Sequence, residues 1–237
     1  MFKTLYTGLQ DLLFPHNCLL CRTYITDPTT KIICSSCHHS LKINQPPFCT
    51  LCSRSLTKKD GLSGQCRHCT HHKPEFDVAY GAYQYNEPMK KLIHYFKYYG
   101  KTSIRLLAAD YIKHFCHTYY ININRFDLII PMPLHPTRYR ERGFNQSTLI
   151  AMSLSQHVEK DTLLRVKNTH YQSHLGQKDR WTNITGAFKM NPLLTVENKS
   201  ILLIDDLLTT GATASEAAKT LKKAGAVHVG ILTLAIA

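Results

Sequence analysis

Eight cysteines in four C-x-x-C pairs, Cys18/Cys21, Cys34/Cys37, Cys49/Cys52 and Cys66/Cys69, constrain this 237-residue chain more than any other feature. Two residues between cysteines let both thiolates of a tight turn reach one tetrahedral Zn²⁺, and spacers of 12, 11 and 13 residues between pairs suit small zinc ribbons. The rest of the chain holds only Cys116, a small buried hydrophobe by its helical setting. Met1 to Pro15 lacks the cationic start, apolar block and small-residue cleavage site of a secretory leader. A cytoplasmic, reducing setting is therefore expected, in which disulfides rarely persist. Two ligand assignments are open: sequential pairing puts the first and second pairs on one ion and the third and fourth on another, and interleaved pairing joins first with third and second with fourth. The sequential one is preferred. Four thiolates per ion leave no coordination position for water, so two structural zinc ions are expected, without which residues 16–72 should unfold. His38, His39, His68, His71 and His72 flank the knuckles and are expected to face solvent.

Beyond residue 72 the composition changes, and two domains are expected, 1–72 with the zinc ribbons and 73–237 with a larger core. A short helix carrying Leu5, Leu9, Leu12, Leu13 and Phe14 should lead into the first knuckle. With 43% hydrophobic and 19% charged residues, collagen, coiled coil and wholesale disorder are excluded. No window approaches the roughly 18 apolar residues of a membrane span. The 29 Lys and Arg against 16 Asp and Glu give +13, spread along the chain, which excludes an acidic solubilising module and favours polyanionic partners such as nucleic acid.

The larger domain reads as α/β. VAYGAYQY (78–85) alternates like a strand; Leu92, Ile93, Phe96 and Tyr99 then recur at helical spacing among lysines, and 103–117 is a second helix. DLIIPMPL (127–134), TLLRVK (162–167), ILLID (201–205) and VHVGILTLA (227–235) read as strands, with helices over 146–158 and 213–224. Apolar runs without alternation suit strands covered on both faces, so a mostly parallel sheet with right-handed crossovers is expected.

In such a sheet ligands gather beyond the carboxyl ends of the strands. There ILLIDDLLTTGATASEA puts Asp205 and Asp206 at a strand end, followed by a loop, Thr209 to Thr213, and a helix whose Thr213-x-x-Glu216 suits a capping box. Amides at a helix N-terminus bind phosphate, Gly211 permits close approach, and two carboxylates can accept hydrogen bonds from a vicinal diol and help hold Mg²⁺. A sugar phosphate is the expected ligand. The segment resembles the type I phosphoribosyltransferases. That resemblance implies that Asp205 and Asp206 grip the ribose hydroxyls of phosphoribosyl pyrophosphate, and that Thr209, Thr210, Gly211, Ala212 and Thr213 hold its 5′-phosphate.

A second loop, PMPLHPTRYRERGFNQS (131–147), is stiffened by Pro131, Pro133 and Pro136, and Arg138, Arg140 and Arg142 supply guanidinium forks for pyrophosphate or DNA phosphates. With Arg165, Gln172, Leu175, Arg180, Asn183 and Phe188, this RxRGFNQ stretch resembles the ComF/GntX family of competence-associated proteins, in which CxxC knuckles precede a phosphoribosyltransferase-like domain. The resemblance covers nearly the whole chain. It implies handling of incoming single-stranded DNA during natural transformation, with Mg²⁺-bound phosphoribosyl pyrophosphate or a related phosphate as ligand and a competence helicase or channel protein as a further partner. Tyr95, Tyr98 and Tyr99 among lysines could stack bases, or equally belong to the core. The alternative is an active transferase moving ribose 5-phosphate onto a nucleobase or another acceptor, although no general acid, base or acceptor site is legible.

Overall fold

The structure, a computed structural model, describes residues 16–25, 32–57, 60, 64–169 and 177–237, with side chains of the last segment from residue 181 onward. The helix expected around Leu5 to Phe14, Gln172, Leu175 and the side chain of Arg180 lie outside these. The described strands are β1 (Val78–Gln84), β2 (Leu128–Pro131), β3 (Leu163–Arg165), β4 (Phe188–Met190), β5 (Ser200–Leu208) and β6 (His228–Ile236). The helices are α1 (Ser35–Ser40), α2 (Arg67–His72), α3 (Glu87–Tyr98), α4 (Ile104–Thr118), α5 (Pro136–Arg142), α6 (Gln146–Leu154), α7 (Gln177–Ile184) and α8 (Ala212–Lys223). No described helix is long and apolar enough to cross a membrane.

The central sheet is parallel throughout, in the order β1-β6-β5-β2. Successive residues of a strand point to opposite faces, and on β5 and β6 both faces are apolar. Leu202, Ile204, Leu232 and Leu234 join the core that holds Leu92 and Phe96 of α3 and Ile112 and Phe115 of α4. Ile201, Leu203, Val229 and Ile231 join the core on the other face, with Ala217, Ala218 and Leu221 of α8. That double burial is why these strands read as unbroken apolar runs. β1 and β6 approach so closely that a Cβ on Gly81 would stand 2.5 Å from the Cβ of Ile236. Gly81→Ala should cost about 1–3 kcal/mol through overpacking, seen as an earlier urea midpoint; an unchanged midpoint would mean that the strands part freely.

The structure corrects several local expectations. The strand expected over 127–134 ends at Pro131, whose successors include Pro133, and the helix expected to reach Val158 stops at Leu154, where Ser155 turns extended. The 162–167 segment contributes no strand to the parallel sheet; its β3 pairs antiparallel with β4 in a separate two-stranded ribbon. Arg138, Arg140 and Arg142 stand on α5 rather than in an irregular loop. Asp205 and Asp206 do not close their strand, because β5 continues to Leu208.

The cysteine-rich segment is stitched onto the free edge of β1. Ile43 bridges Tyr83 antiparallel, Asn44 N–H donates to the Ala82 carbonyl (2.9 Å), Gln84 N–H to that of Lys42 (2.8 Å) and Ala79 N–H to that of Leu51 (2.7 Å). An uncovered edge would expose these groups as a template for aggregation. Asn44, only 1% exposed, is fully employed: Nδ2 donates to the carbonyls of Ser53 (2.7 Å) and Gly81 (3.0 Å), and Oδ1 accepts from the Ser55 hydroxyl (2.8 Å). The two knuckles straddle the sheet. Cys18, Cys34 and Cys37 pack with the α3/α4 core, and Cys49, Cys52, Cys66 and Cys69 with the α8 core.

Candidate functional site

The sulfurs fall into two sets, Cys18, Cys21, Cys34 and Cys37, and Cys49, Cys52, Cys66 and Cys69, each with all Sγ atoms within 4.8 Å of one another. The pairing is sequential, and the interleaved arrangement is not adopted. Cys21 and Cys34 lie 3.6 Å apart, as do Cys52 and Cys66; a tetrahedron with Zn–S bonds of about 2.3 Å has edges of about 3.8 Å. The Thr23 hydroxyl, 3.3 Å from Cys21 Sγ, draws that thiol down to about 6, whereas Cys69 is pushed up by the hydrogen bonds it shares with Cys49, Cys52 and Cys66. Four clustered thiolates would repel one another, and a bound cation removes that repulsion. The geometry and the all-sulfur donor sets are consistent with two structural zinc ions.

A cavity of ≈ 670 Å³ opens where β2 and β5 end, the end of a parallel sheet where ligands bind. Asp205, Asp206 and Thr209 to Thr213 line it, as do Arg138 and Arg142; Arg140 is exposed and does not. Asp205 Oδ1 accepts from the Ser147 hydroxyl and the Asp206 N–H, both at 2.9 Å. Burial, and then the charge of Asp206, raise the Asp205 carboxyl to about 6. Asp206 is 4% exposed, and its Oδ2 stands 2.8 Å from Lys97 Nζ on α3, an ion pair rather than an aligned hydrogen bond. Burial opposes the charge on Lys97, but Asp206 outweighs it and holds the ammonium above its ordinary pKa.

The loop itself differs from expectation. No Thr213/Glu216 capping box forms: Gly211 is the N-cap of α8 with φ of 74°, and Glu216 Oε1 instead accepts from Gly186 N–H at 2.7 Å. A positive φ suits glycine alone without cost. The zinc ribbons grip the loop from outside. Arg54 Nη2 donates to the Thr209 carbonyl at 2.6 Å, and His68 Nε2 to that of Thr210. Because C=O and N–H of a trans peptide unit point in opposite directions, the N–H groups of Thr210 and Gly211 are turned away from the ribbons. The loop contact for His68, and a stack on Trp181 for His72, explain why these two do not face solvent. Both are half-buried, and His72 stacks on Trp181 at 4.7 Å with 10° between the planes.

Several cavity residues escaped the sequence reading. Lys97 and Ser147 clamp the acidic pair; Gln146 is 2% exposed and its Nε2 has no partner among the described residues. Arg165, known only as part of the family pattern, gives Nη2 to Thr169 Oγ1 at 2.7 Å, and burial lowers its pKa. The role of the RGFNQS motif could have been suspected from Asn145, a natural N-cap. Asn145 Oδ1 accepts from Ser147 N–H (3.0 Å) and Nδ2 donates to the Met132 carbonyl (2.9 Å), which fixes the start of α6 against the end of β2 and delivers Gln146 and Ser147 to the cavity. Lys97 carries no such signal.

Comparison with known proteins follows from this architecture. The Double zinc ribbon domain family matches residues 9–70. Competence protein F of Haemophilus influenzae is 30% identical over 235 residues, covering 94% of this chain and 97% of that protein. DNA utilization protein YhgH of Escherichia coli K12 is 28% identical over 226 residues, 87% of this chain and 97% of its own. Competence protein ComFC of Bacillus subtilis is 28% identical over 235 residues, with 92% and 93% covered.

Proposed function

The chain belongs to the ComF family of competence proteins, and from that membership we propose that it handles single-stranded DNA during natural transformation with a phosphoribosyl pyrophosphate-type ligand in its cavity. The relatives' names, competence protein and DNA utilization protein, support the DNA-linked role. The observation that carries the ligand is the cavity itself, which gathers an acidic pair, a glycine-capped helix N-terminus and a ring of cations at the carboxyl ends of parallel strands. In this reading residues 73–237 form the ligand-binding domain and 1–72 the zinc-bearing one. Asp205 and Asp206 hold the ribose hydroxyls and, with the diphosphate, Mg²⁺; the loop from Thr209 to Thr213 holds the 5′-phosphate, and Arg138 and Arg142 face the pyrophosphate. Magnesium, when bound, offsets the negative charge that the ligand brings beside two carboxylates. Arg140, outside the cavity, is left to DNA phosphates.

The two ligands meet on α3, where Lys97 holds Asp206 and the neighbouring Tyr98 is 52% exposed at the cavity mouth. Binding of a labelled oligonucleotide, followed by fluorescence anisotropy, should therefore shift several-fold when Mg²⁺ and phosphoribosyl pyrophosphate are added. The shift should vanish in Asp205→Ala/Asp206→Ala. Affinity should also fall steeply with salt, because neutralised phosphates release counterions. No DNA binding at any salt concentration would sink the reading. A second reading, transfer of ribose 5-phosphate to an acceptor, draws on Gln146 Nε2 and Arg165 Nε in the cavity wall, two buried donors without a partner among the described residues and suited to a polar acceptor. Pyrophosphate release upon adding one acceptor from a nucleobase panel would favour it.

A further inference from the structure

We infer that the C-terminal turn of α3 and its neighbours form the track along which single-stranded DNA runs, from the mouth of the cavity to the first four-cysteine site. The assignment rests on the DNA-handling reading and specifies its surface. α3 buries Met89, Leu92, Ile93 and Phe96, so its other face must meet water or a partner. That face is not simply polar. Tyr98 and Tyr99 are 52% and 60% exposed, and both lie against His94, with ring centroids at 4.9 Å and 5.6 Å. Tyr99 continues to Tyr95 at 5.2 Å.

Each end of this ring cluster is closed by an arginine from a different part of the chain. The Arg142 guanidinium sits 5.4 Å from the Tyr98 ring centre, and Arg142, His94 and Tyr98 also line the cavity. At the far end Arg22, next to Cys21, lies 5.8 Å from the Tyr95 ring centre and donates to its hydroxyl at 3.3 Å. Thus Arg22, His94, Tyr95, Tyr98, Tyr99 and Arg142 make one continuous surface. Exposed Lys90, Lys91 and Lys101 flank it.

Exposed rings interleaved with fixed cations match one polymer in particular. An unpaired strand offers a π face on every base and a phosphate between bases, whereas a duplex hides its base faces in the stack. The charge is complementary, and stacking requires no sequence preference. Two open tyrosine rings provide platforms, the arginines fix ring orientation while keeping their charge, and the lysines follow the backbone.

The test is oligo-dT binding to the full chain by anisotropy, with Tyr98→Ala, Tyr99→Ala, their Phe counterparts, and Lys91→Ala/Lys101→Ala. Each alanine variant should weaken binding about 5- to 150-fold, the range for loss of one stacked base, with the salt slope unchanged. The Phe variants should bind like the parent, and the lysine pair should lower the salt slope by up to about two counterions. Against an abasic oligonucleotide the tyrosine effect should disappear. Retained zinc content in each variant shows that the fold is intact. If the parent binds oligo-dT and both alanine variants bind it equally well, the track is wrong while the DNA reading stands. An equal loss against duplex DNA would likewise overturn base stacking. Failure of the parent to bind would remove the DNA reading itself.

Discussion

Cys66→Ser should lower bound zinc from two ions to one per chain and unfold far more than a surface ribbon. Structural zinc sites supply about 10–16 kcal/mol of apparent binding free energy at neutral pH, against a total stability of about 5–15 kcal/mol for an ordinary domain. Loss of one thiolate forfeits much of that energy and leaves three clustered thiols with no cation. The consequences spread because all four sulfurs of this site are buried in the same core as Phe76, Leu208 and α8. Arg54 and His68, which hold the Thr209 and Thr210 carbonyls, come from the same knuckle. Cys21→Ser at the first site, where the thiol is exposed, should be milder. Elemental analysis and thermal melting read both variants. Two zinc ions and an unaltered melt in Cys66→Ser would refute the four-sulfur assignment.

Asp206→Ala should produce two effects that can be separated. The first is on stability. Removing one partner of a buried ion pair costs about 3–5 kcal/mol, and Lys97 retains 23% of its side chain exposed, so about 3 kcal/mol is expected. The second is on the ligand. A hydrogen bond to a charged group is worth about 1.5–3 kcal/mol, so affinity for Mg²⁺-bound phosphoribosyl pyrophosphate should fall at least about 10-fold. Asp206→Leu/Lys97→Met distinguishes the two, because it restores an uncharged, packed interior without restoring the carboxylate oxygen that the proposed function assigns to the diol. Urea unfolding should return towards the parent in that double variant while calorimetric titration still shows no tight binding. Recovery of binding would mean that Asp206 serves only to hold α3.

Those two residues illustrate where the sequence was readable and where it was not. β5 and β6 announce themselves as apolar runs because both of their faces are covered, and the acidic pair with its glycine loop follows directly. TLLRVK has the same local composition but forms the separate β3/β4 ribbon, since composition reports burial and not the partner strand. C-x-x-C spacing predicted tetrahedral sites, yet both pairing schemes satisfied it until the fold brought Cys34 to Cys21. The capping box failed for a specific reason: Gly211 takes the N-cap at positive φ, and Glu216 is drawn to Gly186. Lys97 meets Asp206 across 109 positions of sequence, a separation at which no periodicity survives. His68 and His72 look like ribbon decoration until α7 and the loop are packed against them.

The strand order has a consequence for how the chain is born. β5 and β6 fill the middle of the sheet, but they are translated after β1 and β2, which flank them. At a synthesis rate of about 5–20 residues per second, the 143 residues between the end of β1 and the start of β6 take about 7–29 seconds to appear. During that interval β1 has no native sheet partner on one side. Residues 42–44 are already outside the ribosome and can pair with its other edge, as they do in the finished protein. Before it supports the loop from Thr209 to Thr213, the metal-bearing module can thus close one edge of the nascent β1, so that the edge reserved for β6 is the one left open until that strand arrives.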